Sequence, residues 1–197
     1  QLEASTFNGR EPDENRWNID FGAMDSWSGR LSVQLSKNWM TQVSSGRLHD
    51  PEGSHTGDVT RTTASVAYVL PKPGGNYWAT SLIWGQNYEH VSRQYINAIT
   101  AETVVPLSHR NLITGRYEWS QRDELFATEH EGPHGAFNVH AFTAGYTRDF
   151  GLLPNVRTGF GANFSTYVTD AALRQVYGDH PWGVNVFFRA RLTRSER

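Results

Sequence analysis

Apolar and polar residues alternate along this chain in repeated runs, and Pro181 to Leu192 shows the pattern best. Trp182, Val184, Val186, Phe188, Ala190 and Leu192 fall on one side, and Gly183, Asn185, Phe187, Arg189 and Arg191 on the other. Successive side chains of an extended strand point to opposite faces, so this run reads as a strand with one greasy and one wet face. The same pattern predicts about ten strands. They are Gln1 to Phe7, Ser26 to Ser36, Trp39 to Leu48, Val59 to Leu70, Asn76 to Tyr88, Gln94 to Val105, Asn111 to Gln121, Ala136 to Phe150, Val156 to Thr169 and Pro181 to Leu192.

The connections between these runs have a rhythm. Those around Lys37, Pro71 to Gly75, Pro106 to Arg110 and Gly151 to Asn155 are tight and rich in turn formers. Those at Asn8 to Asp25, His49 to Asp58, Arg122 to Gly135 and Asp170 to His180 are longer and charged, and a shorter polar loop follows the fifth strand. Tight turns at one end and long loops at the other characterise up-and-down barrels of outer membranes. The expected fold is therefore all-β: one antiparallel up-and-down transmembrane β-barrel domain over residues 1–197. These strands either close the barrel or form part of a larger one.

The competing reading is a soluble barrel or sandwich, in which the greasy face is the core and the arginines face water. Strand length weighs against it. Soluble strands usually run about 5 or 6 residues, whereas a tilted membrane strand needs about 9 to 11. Trp39, Trp78, Trp119 and Trp182 also sit near strand ends, where a lipid-interface girdle of aromatics lies.

Composition narrows the field without changing this picture. Hydrophobic residues make up 38% of 197 positions and mean hydropathy is −0.57, so the chain is too polar for a bundle of membrane helices. A barrel tolerates that polarity, because only alternate residues of each strand face lipid. Cysteine is absent, which excludes disulfides, thiolate metal sites and cysteine catalysis. A net charge of −2 gives no electrostatic reason to expect a nucleic-acid partner. The chain opens at Gln1 inside a strand, as expected of a processed protein or the later part of a longer one.

Three sets of residues are candidates for chemistry. On the wet faces, Arg30, Arg61, Arg116, Arg157, Arg189 and Arg191 accompany Glu102 and Glu118. Facing a lumen, they either tune the selectivity of a channel or pair off and plug a narrow barrel. Among the loop histidines, His49, His55, His90, His130, His134 and His180, the pair His130 and His134 stands beside Glu129 and Glu131. Imidazole with carboxylate suits zinc or copper, although this spacing fixes no coordination geometry. Rim residues Asp123, Glu124, His130, His134 and His180 are the set a hydrolase would draw on. No nucleophile motif accompanies them, so no catalytic residue is assigned and no cofactor is expected.

Several segments resemble uncharacterised porin-like outer-membrane β-barrel proteins of Gram-negative bacteria. They are Phe7-Asn8-Gly9-Arg10-Glu11-Pro12-Asp13-Glu14-Asn15-Arg16, Asp25-Ser26-Trp27-Ser28-Gly29-Arg30-Leu31, Asp58-Val59-Thr60-Arg61-Thr62-Thr63-Ala64-Ser65, Trp84-Gly85-Gln86-Asn87 and Tyr177-Gly178-Asp179-His180-Pro181. The resemblance covers nearly the whole chain, matches the C-terminal half of those proteins and brings no catalytic residues. It implies a bacterial outer-membrane location, with lipid and lipopolysaccharide as surroundings. Gly183, Val186 and Phe188 resemble the assembly signal of such last strands, although the tail Arg189 to Arg197 runs past the aromatic. The expected function is a porin-like channel or a passive structural barrel. The alternatives are a surface-loop module that binds a metal ion or partner protein, and a rim-sited hydrolase.

Overall fold

In a computed structural model of the protein, the described residues are 1–12, 17, 21–51, 57–73, 76–122, 125, 136–153 and 156–192. Ten strands run in chain order: β1 (Leu2–Phe7), β2 (Ser26–Gln34), β3 (Trp39–Leu48), β4 (Val59–Pro71), β5 (Tyr77–Glu89), β6 (Tyr95–Pro106), β7 (Asn111–Arg122), β8 (Phe137–Leu153), β9 (Val156–Thr169) and β10 (Trp182–Leu192). A short helix, α1 (Ala171–Tyr177), precedes β10. The strands form one antiparallel ten-stranded up-and-down sheet in sequence order, as the alternation predicts.

The tight turns repeat one design. Leu35 N and Ser36 N both donate to Trp39 O, and Leu107 N and Ser108 N both donate to Asn111 O. In each turn the serine hydroxyl accepts a backbone N–H two residues on, from Asn38 and from Arg110. A serine bonding its own turn in this way favours a reversal over further strand. This local competition ends β2 at Gln34, two residues before the end expected from alternation.

Two compact units divide the sheet: Gln1–Val66 with Ile83–Ile99, and Ala67–Leu82 with Thr100–Arg197. In the first, the β1–β2–β3 register aligns Leu2 with Leu31 and Val43 on one face, and Glu3 with Arg30 and Ser44 on the other. The apolar face stands open: Leu2, Trp27, Leu31, Val33 and Val43 are all exposed.

The second unit likewise has an exposed apolar face. Phe142, Tyr146, Phe160, Phe164, Trp182, Val184, Val186 and Phe188 are exposed on one face. Thr147 and Asp149 are buried on the other, along with Gly145, Gly159 and Gly161. Those glycines make room for neighbouring side chains. A Cβ on Gly159 would lie 2.5 Å from Asp149 Oδ1 and 2.9 Å from Arg148 O, and one on Gly161 would lie 2.7 Å from Phe187 Cε2.

Among the described residues only Val59, Leu112, Phe137 and Leu173 are buried apolar side chains, against seven buried polar ones. The 170–180 segment, expected to be a loop, instead carries α1. Leu173 of this helix is fully buried and Tyr177 Oη donates to Leu125 O. Asp170 just before it accepts from Asn138 N at the start of β8, tying the segment to the sheet.

Candidate functional site

The polar face of the second unit brings most of the predicted charged residues together. β5, β6 and β7 set Ser81, Glu102 and Arg116 side by side. Ser81 Oγ donates to Glu102 Oε1 at 3.1 Å, and Arg116 lies 3.9 Å from Glu102 Oε2. Arg116 Nη2 donates to Glu118 Oε2 at 2.5 Å, and Arg122 lies 3.8 Å from Glu118 Oε1. A cavity of about 430 Å³ opens beside this row, lined by Glu102, Arg116, Ser81, Thr114, Thr143 and Asn163. Arg116 is half exposed, so each of these ion pairs contributes only about 0.5 kcal/mol. Their consequence is a fixed pattern of charge in the cavity more than added stability.

The second cluster lies toward the tight-turn ends of β8, β9 and β10. Arg189 donates twice to Asp149 Oδ1, from Nε at 3.0 Å and Nη2 at 2.7 Å, and Arg191 Nη2 donates to Oδ2 at 3.2 Å. Register explains the geometry. Gly159 pairs with both Asp149 and Arg189, so the arginine crosses a bare glycine to reach the carboxylate two strands away. Arg157 Nη1 donates to Asn76 Oδ1 at 3.4 Å. Taking both clusters, this face carries the guanidiniums of Arg116, Arg122, Arg157, Arg189 and Arg191 against the carboxylates of Glu102, Glu118 and Asp149.

In the first unit, Arg30 Nε lies 3.6 Å from Glu3 Oε2, and Arg61 Nε donates to Asn87 Oδ1 at 2.9 Å. All eight charged residues expected on the wet face therefore have polar partners there. Sequence reasoning did not single out Asp149. Its odd number, shared with Ala141, Thr143 and Gly145 of the same strand, was the signal for it.

The four tryptophans divide between the sheet's two ends. Trp39 and Trp78 follow tight turns, whereas Trp119 and Trp182 lie next to long loops. Their indole N–H groups find partners where the sheet offers them: Trp78 Nε1 donates to Thr80 and Thr103, and Trp119 Nε1 to Asn138 Oδ1. Tyr117 Oη and His140 Nδ1 are hydrogen bonded at 3.0 Å beside Trp119. An apolar ring with a polar tip at a strand end is the arrangement a lipid interface favours.

Among the described residues the loop histidines form no metal centre, and no three His, Asp or Glu converge to hold an ion. His130 and His134 lie outside the described residues, as do His55, Asp123 and Glu124. His90 Nε2 is hydrogen bonded to Thr60 Oγ1, and His180 is exposed after α1. His49 is the exception, because its Nδ1 lies 2.7 Å from Asp58 Oδ1 while Arg47 Nε donates to Asp58 Oδ2 at 2.6 Å.

The hydrogen bond to Asp58 raises the His49 pKa above its ordinary value. For Asp58, burial pushes upward, but the bonds from His49 and Arg47 prevail and hold its carboxyl below the usual range. A raised histidine stabilises fully below its unfolded pKa and loses that effect as pH rises through the folded one. A lowered aspartate stabilises above its unfolded pKa and loses the effect as pH falls through the folded one. The contact is thus strongest between about pH 4 and about pH 6.5. A proton NMR titration of the His49 ring is expected to give a pKa above 6.5, falling back in Asp58→Asn; equal values in both proteins would show that Asp58 does not hold the imidazolium.

No family model matches the chain, and no curated protein or solved structure matches it either.

Proposed function

We propose that the chain forms a transmembrane β-barrel of the bacterial outer membrane, with its apolar face against lipid and its arginine- and glutamate-bearing face around a porin-like passage. One observation carries this reading: in each unit the greasy side of the strands stands exposed, and in the second unit Ser120, Thr147 and Asp149 are buried on the other side. Water would penalise such an arrangement by about 25 cal/mol for each Å² of apolar surface left wet. Hydrocarbon removes that penalty and demands paired backbone groups, which the strand ladders supply. The dimensions agree. From Trp182 to Leu192 the 11-residue β10 reaches roughly 33 Å at ~3.3 Å per residue, or about 25 Å when tilted by ~40°. That is the height of an outer-membrane apolar band.

The cavity beside Glu102 and Arg116 favours an open passage over a fully packed interior. A passive barrel is the second reading, favoured by the side chains that fill the space over Gly159 and Gly161. Two measurements test these in turn. Lipid brominated along its acyl chains is expected to quench the exposed Trp182 and Trp39 after the chain folds into vesicles, while the chain in plain buffer fails to fold. Unquenched emission, or a stable fold in buffer without detergent, sinks the membrane reading. Planar-bilayer recordings are then expected to show discrete conductance steps; folded protein that carries no current leaves the passive barrel.

A further inference from the structure

We propose that Arg157 and Arg191 form a binding site for a doubly charged oxyanion of the phosphate type, at the tight-turn end of β8, β9 and β10. Arg157 and Arg191 are direct partners in the β9–β10 register, on the same face. Like charges placed directly opposite one another destabilise a sheet unless something offsets them. Among the described residues the carboxylate paired with this cluster is Asp149, whose two oxygens already take three hydrogen bonds from Arg189 and Arg191. Among the described residues, three guanidiniums against one carboxylate leave two positive charges in excess.

The site is also held in shape and accessible. Asn76 is buried, and its Nδ2 donates to Ser108 O at 3.0 Å, which turns Oδ1 toward Arg157 Nη1. On the other side of Arg157 in the register stands Gly151, and a side chain added there would meet nothing within 4 Å. A ligand can therefore approach Arg157 over β8. Arg191 is 45% exposed and keeps a guanidinium edge for it. A cation is repelled, and a monoanion leaves half the excess charge unbalanced. A dianionic oxyanion balances it and fits the planar fork of a guanidinium, which bonds two oxygens at once. Lipid phosphates share this chemistry, but the site lies on the face away from Phe160 and Phe188, so a free solute is the expected ligand.

The site's place inside a passage rests on the barrel reading, whereas binding depends only on the local geometry. Calorimetric titration of inorganic phosphate into the full chain, folded in uncharged-detergent micelles, is expected to show saturable binding of one ion per chain. Chloride at equal ionic strength is expected to show none. Losing one charge-assisted partner weakens such a contact by about tenfold or more. Arg157→Gln and Arg191→Gln should each lose that much, while Arg148→Gln on the opposite face should match the parent. Phosphate should also raise the unfolding midpoint of the unaltered protein, a readout independent of whether the variants fold. Absence of saturable phosphate binding, affinity in both glutamine variants equal to that of the parent, or displacement of phosphate by phosphatidic acid in the micelle overturns the proposal. Phosphate binding without ion current removes the passage and keeps the site; current without phosphate binding removes the site alone.

Discussion

Replacing Asp149 with alanine is expected to destabilise the fold by about 3 kcal/mol, although no apolar contact is lost. Asp149 is 1% exposed and accepts from both Arg189 and Arg191. Removing one member of a buried ion pair costs about 3–5 kcal/mol, mostly because the partner's charge stays behind without compensation. Here the arginines are 28% and 45% exposed, so water recovers part of that loss and the lower end applies. Arg189→Gln should cost less, about 1–2 kcal/mol, since Arg191 still faces the carboxylate. Urea titration followed by tryptophan emission in micelles reads both values, with a lowered midpoint and an unchanged slope. A loss below about 0.5 kcal/mol for Asp149→Ala would mean that solvent already screens the cluster.

The same cluster shows how far the site was legible in the sequence. Arg157, Arg189 and Arg191 stand out because alternation puts a long charged side chain opposite Phe160, Phe188 and Leu192. Parity alone assigns each to the polar face, and the register places them there. What alternation could not supply is partnership across strands. That Asp149 meets Arg189 depends on the register of two hairpins and on Gly159 standing between them. A shift of one residue would carry Asp149 to the other face, and no pattern within a single strand fixes that choice. Glu102, Arg116 and Glu118 are the same case, since their faces follow from numbering whereas the cavity beside them follows from pairing.

Departures from the sequence reading have local causes. β8 runs on to Leu153, past Phe150, because a register irregularity between Gly151 and Leu153 lets pairing continue where alternation breaks down. Helix α1 has seven residues, too few for a helical period to show. Its flanks did carry a signal, as Asp170 stands before it and Gly178 after it. Gly178 closes it at φ 87°, a conformation that favours glycine, with its N–H donating to Arg174 O. Long amphipathic strands dominate the pattern here, and a two-turn element inside a connection is easily absorbed into the loop around it.

Val186→Arg on the apolar face is expected to cost about 2–4 kcal/mol of stability in lipid vesicles, the penalty for a cation at the bilayer midplane on a barrel's lipid side. Val186 is 73% exposed and sits midway along β10, between Trp182 at one end and Leu192 at the other. In water, an exposed valine replaced by arginine changes stability by no more than about 0.5 kcal/mol, so the solvent on that face decides the outcome. Depth provides an internal control. Trp182→Arg, at the long-loop end of the strand, should lose only about 0–1 kcal/mol of the lipid-dependent term. Asn185→Arg, one residue from Val186 but on the opposite face, should be near neutral because that face already carries Arg189 and Arg191. Urea titrations of the folded chain in phosphatidylcholine vesicles compare the three. Equal small effects at positions 182, 185 and 186 would put water on both sides of β10, and the exposed row of Trp182, Val184, Val186 and Phe188 would then need a covering other than lipid.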